Sequence, residues 1–350
     1  MNRKITFLLL LLFVGQISWA CDLCSFYIGI QPNDFKSSFG IRYRYRLFED
    51  KYTFNSSTNT ISNKSSQRLA NNNLASINHI DESYLGTEKK DIFYKEQYNS
   101  YDFLLNIALG KRFNLLISNS FSDNYVYKND SLIDNISGVG DMQLLLNYRL
   151  FYSKVSNDSL AKNRFLHRLT IGAGIELPTG SYNKNSTKSY ETTITGNTIL
   201  GQPLMVLDPH LQPGTGSLNY LFFLEYLVQF NQLGWNSNIS YKLTTKNKNG
   251  FQFANRSNFN TSLFYMAKIK PDFILMPNAG LSYEYSERDT QNEIEEVDSG
   301  GEALFATPGF KLLVKNIAFD FNYYHPIHDY LYGNQPSNKA RIIGQLTYNF

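Results

Sequence analysis

Three clusters of side chains in this chain have types and spacings suited to chemistry. Cys21 and Cys24 form a C-x-x-C pair, the spacing of a local disulfide, of a redox centre and of half a metal site. No second C-x-x-C or neighbouring histidine completes four ligands, and Ser25 stands where haem attachment needs a histidine. The leading reading of Cys21 and Cys24 is therefore a disulfide, with metal or redox chemistry left open. His325-Pro-Ile-His328-Asp329 offers imidazoles for a general base or a metal, or simply a polar rim. No local Ser/His/Asn grouping supplies a nucleophile for them. Glu293-Ile-Glu-Glu-Val-Asp298 suits a divalent cation or a solvated acidic loop. From these clusters we assign no catalytic residue, no metal site and no cofactor.

The richer feature is a row of alternating arginines. Arg42, Arg44 and Arg46 are separated by Tyr43 and Tyr45, so a β-strand puts all three guanidinia on one face and the aromatics on the other. The last segment carries Arg341 and alternates likewise: Ile342, Gly344, Leu346, Tyr348 and Phe350 on one face, with Gln345, Thr347 and Asn349 on the other. Ile343 breaks its polar set. Arg149, Arg168, Lys242 and Lys311 fall on polar faces of further strands, with Asp102, Glu176, Glu225, Glu284 and Asp320 to oppose them.

Such faces need elements that meet two different media. Period-two alternation recurs in twelve segments, near 38–48, 97–110, 113–125, 139–151, 165–178, 216–230, 233–246, 257–268, 271–286, 302–315, 316–327 and 338–350. Pro308 and Gly309 interrupt the tenth. The connections sort by length. Lys111–Arg112, Asn231–Gln232, Ile269–Lys270 and Lys315–Asn316 are short. Glu49 to Glu96, Val126 to Gly138, Thr179 to Thr215, Asn247 to Arg256, Glu287 to Gly301 and His328 to Ser337 are long. Tyr152 to Arg164 is the exception, falling on the short side. The pattern predicts an all-β fold: a transmembrane, antiparallel, up-and-down β-barrel of about twelve strands, with periplasmic termini and long extracellular loops. A soluble sandwich gives no reason for that sorting.

The remaining features agree. Met1 to Ala20 reads as a signal peptide, with Arg3 and Lys4 before an apolar run and Ser18-Trp19-Ala20 at the cleavage site. The mature chain then divides into a periplasmic segment, 21–37, and a barrel, 38–350. Cys21 after the site also raises lipid attachment, although Ser18 and Trp19 do not make a lipobox. Mean hydropathy lies on the polar side, as a barrel allows because only alternate residues meet lipid. The 25 Tyr and 26 Phe suit β-structure and interfacial belts. A formal charge of +3 is too small to argue for nucleic acid.

Charge on a lipid face costs about 2–4 kcal/mol near the midplane. The charged face is therefore expected to line the lumen, with Arg42, Arg44, Arg46, Arg149, Arg168, Lys242, Arg341, Glu176, Glu225 and Asp320 as lumen and selectivity residues. They form either a paired network that fills the interior or a ladder that guides anions. Gly138-Val-Gly-Asp141 opening one strand, and Leu169-Thr-Ile-Gly-Ala-Gly-Ile-Glu-Leu-Pro-Thr-Gly180 forming the next and its exit, resemble the outer-membrane family labelled "MetA-pathway of phenol degradation". The resemblance covers about 45 residues, and the Cys21-Asp-Leu-Cys24 start is similar to exported Bacteroidetes barrels. It implies passage of small, hydrophobic or aromatic molecules. Taken alone, both motifs also read as rim turns, with Asp141 bonding backbone amides.

The expectation is a passive outer-membrane channel for small solutes in a Gram-negative bacterium. Its expected partners are outer-membrane lipid and lipopolysaccharide, a small-molecule solute, and the outer-membrane assembly machinery through the strand ending in Phe350. The alternatives are a rim hydrolase using His325 and His328, or an adhesive barrel binding through loops such as Asn55 to Asn73.

Overall fold

A computed structural model describes residues 36–55, 89–153, 165–183, 193–194, 197–198 and 208–350. The segments 1–20 and 21–37 up to Phe35, with Cys21 and Cys24, lie outside the described residues, as does 56–73.

Among the described residues twelve antiparallel strands close into one barrel. They are β1 (Ser38–Asn55), β2 (Lys89–Leu109), β3 (Phe113–Lys128), β4 in two segments (Ser131–Val139 and Met142–Tyr152), β5 (Phe165–Leu177), β6 (Asn219–Phe230) and β7 (Leu233–Leu243). Then come β8 (Arg256–Tyr265 with Ala267–Lys270), β9 (Phe273–Ser286), β10 in two segments (Gly301–Ala306 and Gly309–Val314), β11 (Ile317–Leu331) and β12 (Ser337–Asn349). Each pairs with its sequence neighbours, and β1 pairs with β12 from Ser38↔Asn349 to Glu49↔Ser337, which shuts the ring.

The side chains are sorted inside-out. Phe39, Ile41, Phe103, Leu146, Phe222, Trp235, Ile239, Leu263, Phe319 and Leu346 are exposed on the outer wall, while Arg42, Asp102, Ser118, Asn147, Glu225, Asn258, Glu284 and Arg341 are buried inside. In water this arrangement forfeits the hydrophobic effect. In a bilayer it is required, because the outer wall meets lipid and closure satisfies every strand edge. The protein is an outer-membrane-type β-barrel.

Four sequence expectations need correction. Val126 to Gly138 is not a long loop: β3 runs on to Lys128 and β4 starts at Ser131. A two-residue turn joins them, with Asn129 and Asp130 at φ 48° and 61°, the geometry of a tight hairpin. The Glu49 to Glu96 connection is likewise mostly strand at both ends, since β1 reaches Asn55 and β2 begins at Lys89. At about 3.3 Å per residue the 18 residues of β1 and 21 of β2 exceed the 9–11 that a tilted crossing needs. This side of the barrel therefore stands as a tall wall beyond the membrane. The strand expected from 139 starts at Met142, because Gly140 and Asp141 break it. The inward positions switch there from Asp134, Ile136 and Gly138 to Leu145, Asn147 and Arg149. Finally, β11 continues through Leu331, so the turn before β12 is shorter than His328 to Ser337. The break at Thr307 and Pro308 falls where the proline sits.

Candidate functional site: the barrel lumen and the strap across its mouth

The lumen is a set of ion pairs fixed by strand register. Arg42 lies opposite Asp102, and its Nε donates to Asp102 Oδ2 at 2.6 Å. Arg44, two residues on, reaches the same carboxylate with Nε at 2.8 Å and a terminal nitrogen at 2.7 Å. Lys311 and Asp320 are directly opposed and bonded at 3.0 Å. Arg168 holds Glu225 at 3.1 Å. Glu176 accepts from Lys242 at 2.5 Å, Gln143 at 2.6 Å and Asn219 at 2.7 Å. Arg149 lies over the Tyr152 ring at 4.6 Å and Arg46 over the Tyr98 ring at 4.9 Å.

Arg341 is 1% exposed. Arg46 faces it across the seam, yet its guanidinium turns across the lumen to Glu284 at 2.7 and 2.8 Å. It lies over the rings of Phe305 and Phe48, at 4.3 and 5.8 Å. Of the ten residues expected in the lumen, eight are buried in the barrel and Arg46 and Lys242 are half-buried, and the ion pairs among them form separate groups along the wall.

The interior is not uniformly polar. Leu227, Phe264, Met276, Leu313 and Ala318 form an apolar patch on β6 to β11 near the short-turn end. Leu145, Leu221 and Phe223 form another, and Ile343 joins Ala303, Phe305 and Tyr324. Between these lie buried polar atoms with no hydrogen-bond partner among the described residues, including Asn147 Oδ1, Thr170 Oγ1 and Asn236 Oδ1. Each unmet polar atom costs about 1–3 kcal/mol.

Sequence reasoning missed the mouth. The chain from Asp208 to Ser217, between β5 and β6, folds inward as a strap. Leu211 is buried among Phe48, Tyr98, Val126 and Ile136, and Asn124 Nδ2 donates to its carbonyl at 2.9 Å. At its far end three glycine backbones stack. A Cβ on Gly180 would lie 2.7 Å from the Gly140 carbonyl carbon, and one on Gly214 would lie 2.8 Å from Gly180 Cα. Asp141 clamps this stack, accepting from Gly180 N at 2.8 Å, Thr215 N at 2.7 Å and Thr215 Oγ1 at 2.6 Å. The Gly138–Asp141 and Leu177–Gly180 motifs therefore serve a third, Gln212-Pro-Gly-Thr-Gly216. The two prolines and two glycines of 209–216 were the readable signal.

Across the mouth His210 meets the β9–β10 loop. Nδ1 lies 2.9 Å from Asp208 Oδ1, and Nε2 lies 2.7 Å from Asp289 Oδ2. Burial alone pushes the imidazole down, but the charges and hydrogen bonds of Asp289 and Asp208 outweigh it and raise the pKa to about 9. For Asp289, burial acts upward. His210, and then Arg256, override it and hold the carboxyl below its usual range. A cavity of about 60 Å³ adjoins the strap, lined by Arg46, Glu96, Tyr98, His210, Arg256 and Asp289.

The other chemical candidates are placed apart. His325 and His328 lie at the rim, and His328 Nε2 is 3.8 Å from Glu302. No described hydrogen bond links either ring to a hydroxyl. Glu293 pairs with Lys246 at 2.9 Å, and Asp298 accepts from Asn334 N at 2.7 Å. No group of three metal-competent side chains occurs among the described residues.

With this geometry in place, comparison with solved structures gives the COG4313 outer membrane channel from Pseudomonas putida F1. It matches with a TM-score of 0.55 at 12% identity, over 92% of this chain and 100% of that one. The fold is that of an outer-membrane barrel. The β domain of the Bordetella autotransporter BrkA (TM-score 0.44, 10% identity, 91% and 100% covered) and the translocator domain of NalP from Neisseria meningitidis (0.40, 10%, 91% and 90%) are more distant likenesses. No protein-family model and no curated protein matches the chain, so the resemblance carried by Gly138–Asp141 and Leu169–Gly180 finds no family model behind it.

Proposed function

We propose that this barrel is a passive outer-membrane channel for small solutes, narrow, mildly anion-preferring and able to pass small hydrophobic or aromatic groups. In this reading the termini and short turns face the periplasm and the strap faces the medium. The observation that carries it is the arginine pair sharing one carboxylate. Arg42 and Arg44 both bond Asp102 inside the membrane-spanning wall, which concentrates guanidinium groups on one stretch of the lumen, and Arg149 is inward on β4. The Leu227–Phe264–Met276 patch offers apolar surface beside the charged groups. The solved channel of like fold is described as a channel, which agrees with the proposal.

The test is the reversal potential of the reconstituted protein under a salt gradient. Wild type should show a modest anion preference, and Arg42→Gln with Arg44→Gln should move it toward cations by several-fold in permeability ratio. A cation-selective wild type, or no change on substitution, rejects the arginine pair as the determinant.

A further inference from the structure

The strap is anchored differently at its two ends. At the Gly214 end it is knotted to the barrel by backbone packing and Asp141, which leaves little freedom. At the His210 end it is held by charge. The imidazole bridges Asp208 of its own segment and Asp289 of the loop across the mouth, with the Phe251 and Phe253 rings edge-on at 6.3 and 5.6 Å. Leu211, next in the chain, is the plug seated among Phe48, Tyr98, Val126 and Ile136.

We propose that the strap is a latch on the mouth, closed while a charged His210 bridges Asp208 and Asp289 and freed to swing about its Gly214 knot when that charge is lost. This rests on the mouth being the solute entrance. Among the described residues, charged groups face the latch from several elements. Asp208 belongs to the strap and Asp289 to the β9–β10 loop, where Ala254 N donates to its carboxylate and its own backbone N donates to Ser299 Oγ. Arg256 on β8 stands 3.9 Å from Asp289. Arg46 on β1 and Glu96 on β2 line the same cavity. Asp289 is held in its charged form by His210 and Arg256, so His210 is the group whose charge the latch gains or loses. Its pKa in the closed state is raised to about 9 against about 6.5 when free. The latch is therefore fully engaged below about pH 6.5 and lost as pH rises through about 9. A shift of this size corresponds to a closed-to-open ratio falling by up to about two orders of magnitude.

The latch can be read without any solute current. With Cys21→Ser and Cys24→Ser as background, Leu211→Cys is labelled by a bulky impermeant maleimide. Its rate is divided by that of an exposed control, Lys339→Cys, at each pH to remove thiol ionisation. The ratio should rise at least tenfold between pH 6.5 and 9.5. Adding His210→Gln, or separately Asp289→Asn, should make it high at every pH. A ratio that is flat with pH and the same in all three proteins overturns the latch, with folding checked by heat-modifiable gel mobility. If the ratio switches but no variant conducts, the channel reading fails while the latch stands.

Discussion

Arg341 shows how much a single inward residue carries. Its bidentate bond to Glu284 lies in a site almost without solvent, with Asn338 Oδ1 taking a further donor at 2.6 Å. Removing one partner leaves a buried charge unmet, which costs about 3–5 kcal/mol, whereas removing both for apolar groups is often nearly neutral. Glu284→Gln or Arg341→Leu should therefore lower the urea midpoint sharply, and the Arg341→Leu, Glu284→Leu double variant should recover most of it. Equal losses in single and double variants would deny the pair its role. The inward parity of Arg341 was legible because side chains alternate along a strand. Its partner was not, because Glu284 lies three strands round the ring and is brought near by tilt and stagger. Ile343 broke the polar alternation for a readable reason once the structure is known: it packs with Phe305 and Tyr324 inside.

Elements were legible where lipid disciplines them. Most outer-wall positions of β5 and β7 are apolar, so their alternation is readable despite His167 and Ser237. Beyond the membrane that discipline lapses. Val126 and Ile136 point inward yet are apolar, because they pack on Leu211 of the strap, and the β3–β4 hairpin was therefore read as loop. The Gly138–Asp141 and Leu177–Gly180 motifs stood out by composition, but the third segment of their knot lies at 212–216 and is joined only in space. Asp141→Ala would leave Gly180 N, Thr215 N and Thr215 Oγ1 without their acceptor, at about 1–3 kcal/mol for each group kept from water. The strap should then be cut by external protease at least several-fold faster than in wild type, with barrel mobility on gels unchanged. Equal cleavage rates would mean the strap is held elsewhere.

At the scale of the whole molecule, the inside-out distribution of side chains fixes a membrane barrel. Ion pairs stand along the lumen wall. Glu284, Phe305, Leu221 and Arg341 are buried inside, so in the proposed channel solute passes between ion pairs and past the strap. The most direct test is single-channel recording of the full protein beside a variant in which 209–213 are replaced by a short Gly-Ser link. Wild type should show small, discrete conductance and the variant a several-fold larger one, both folded by heat-modifiable mobility. Folded protein that passes no current in either form would contradict the channel reading.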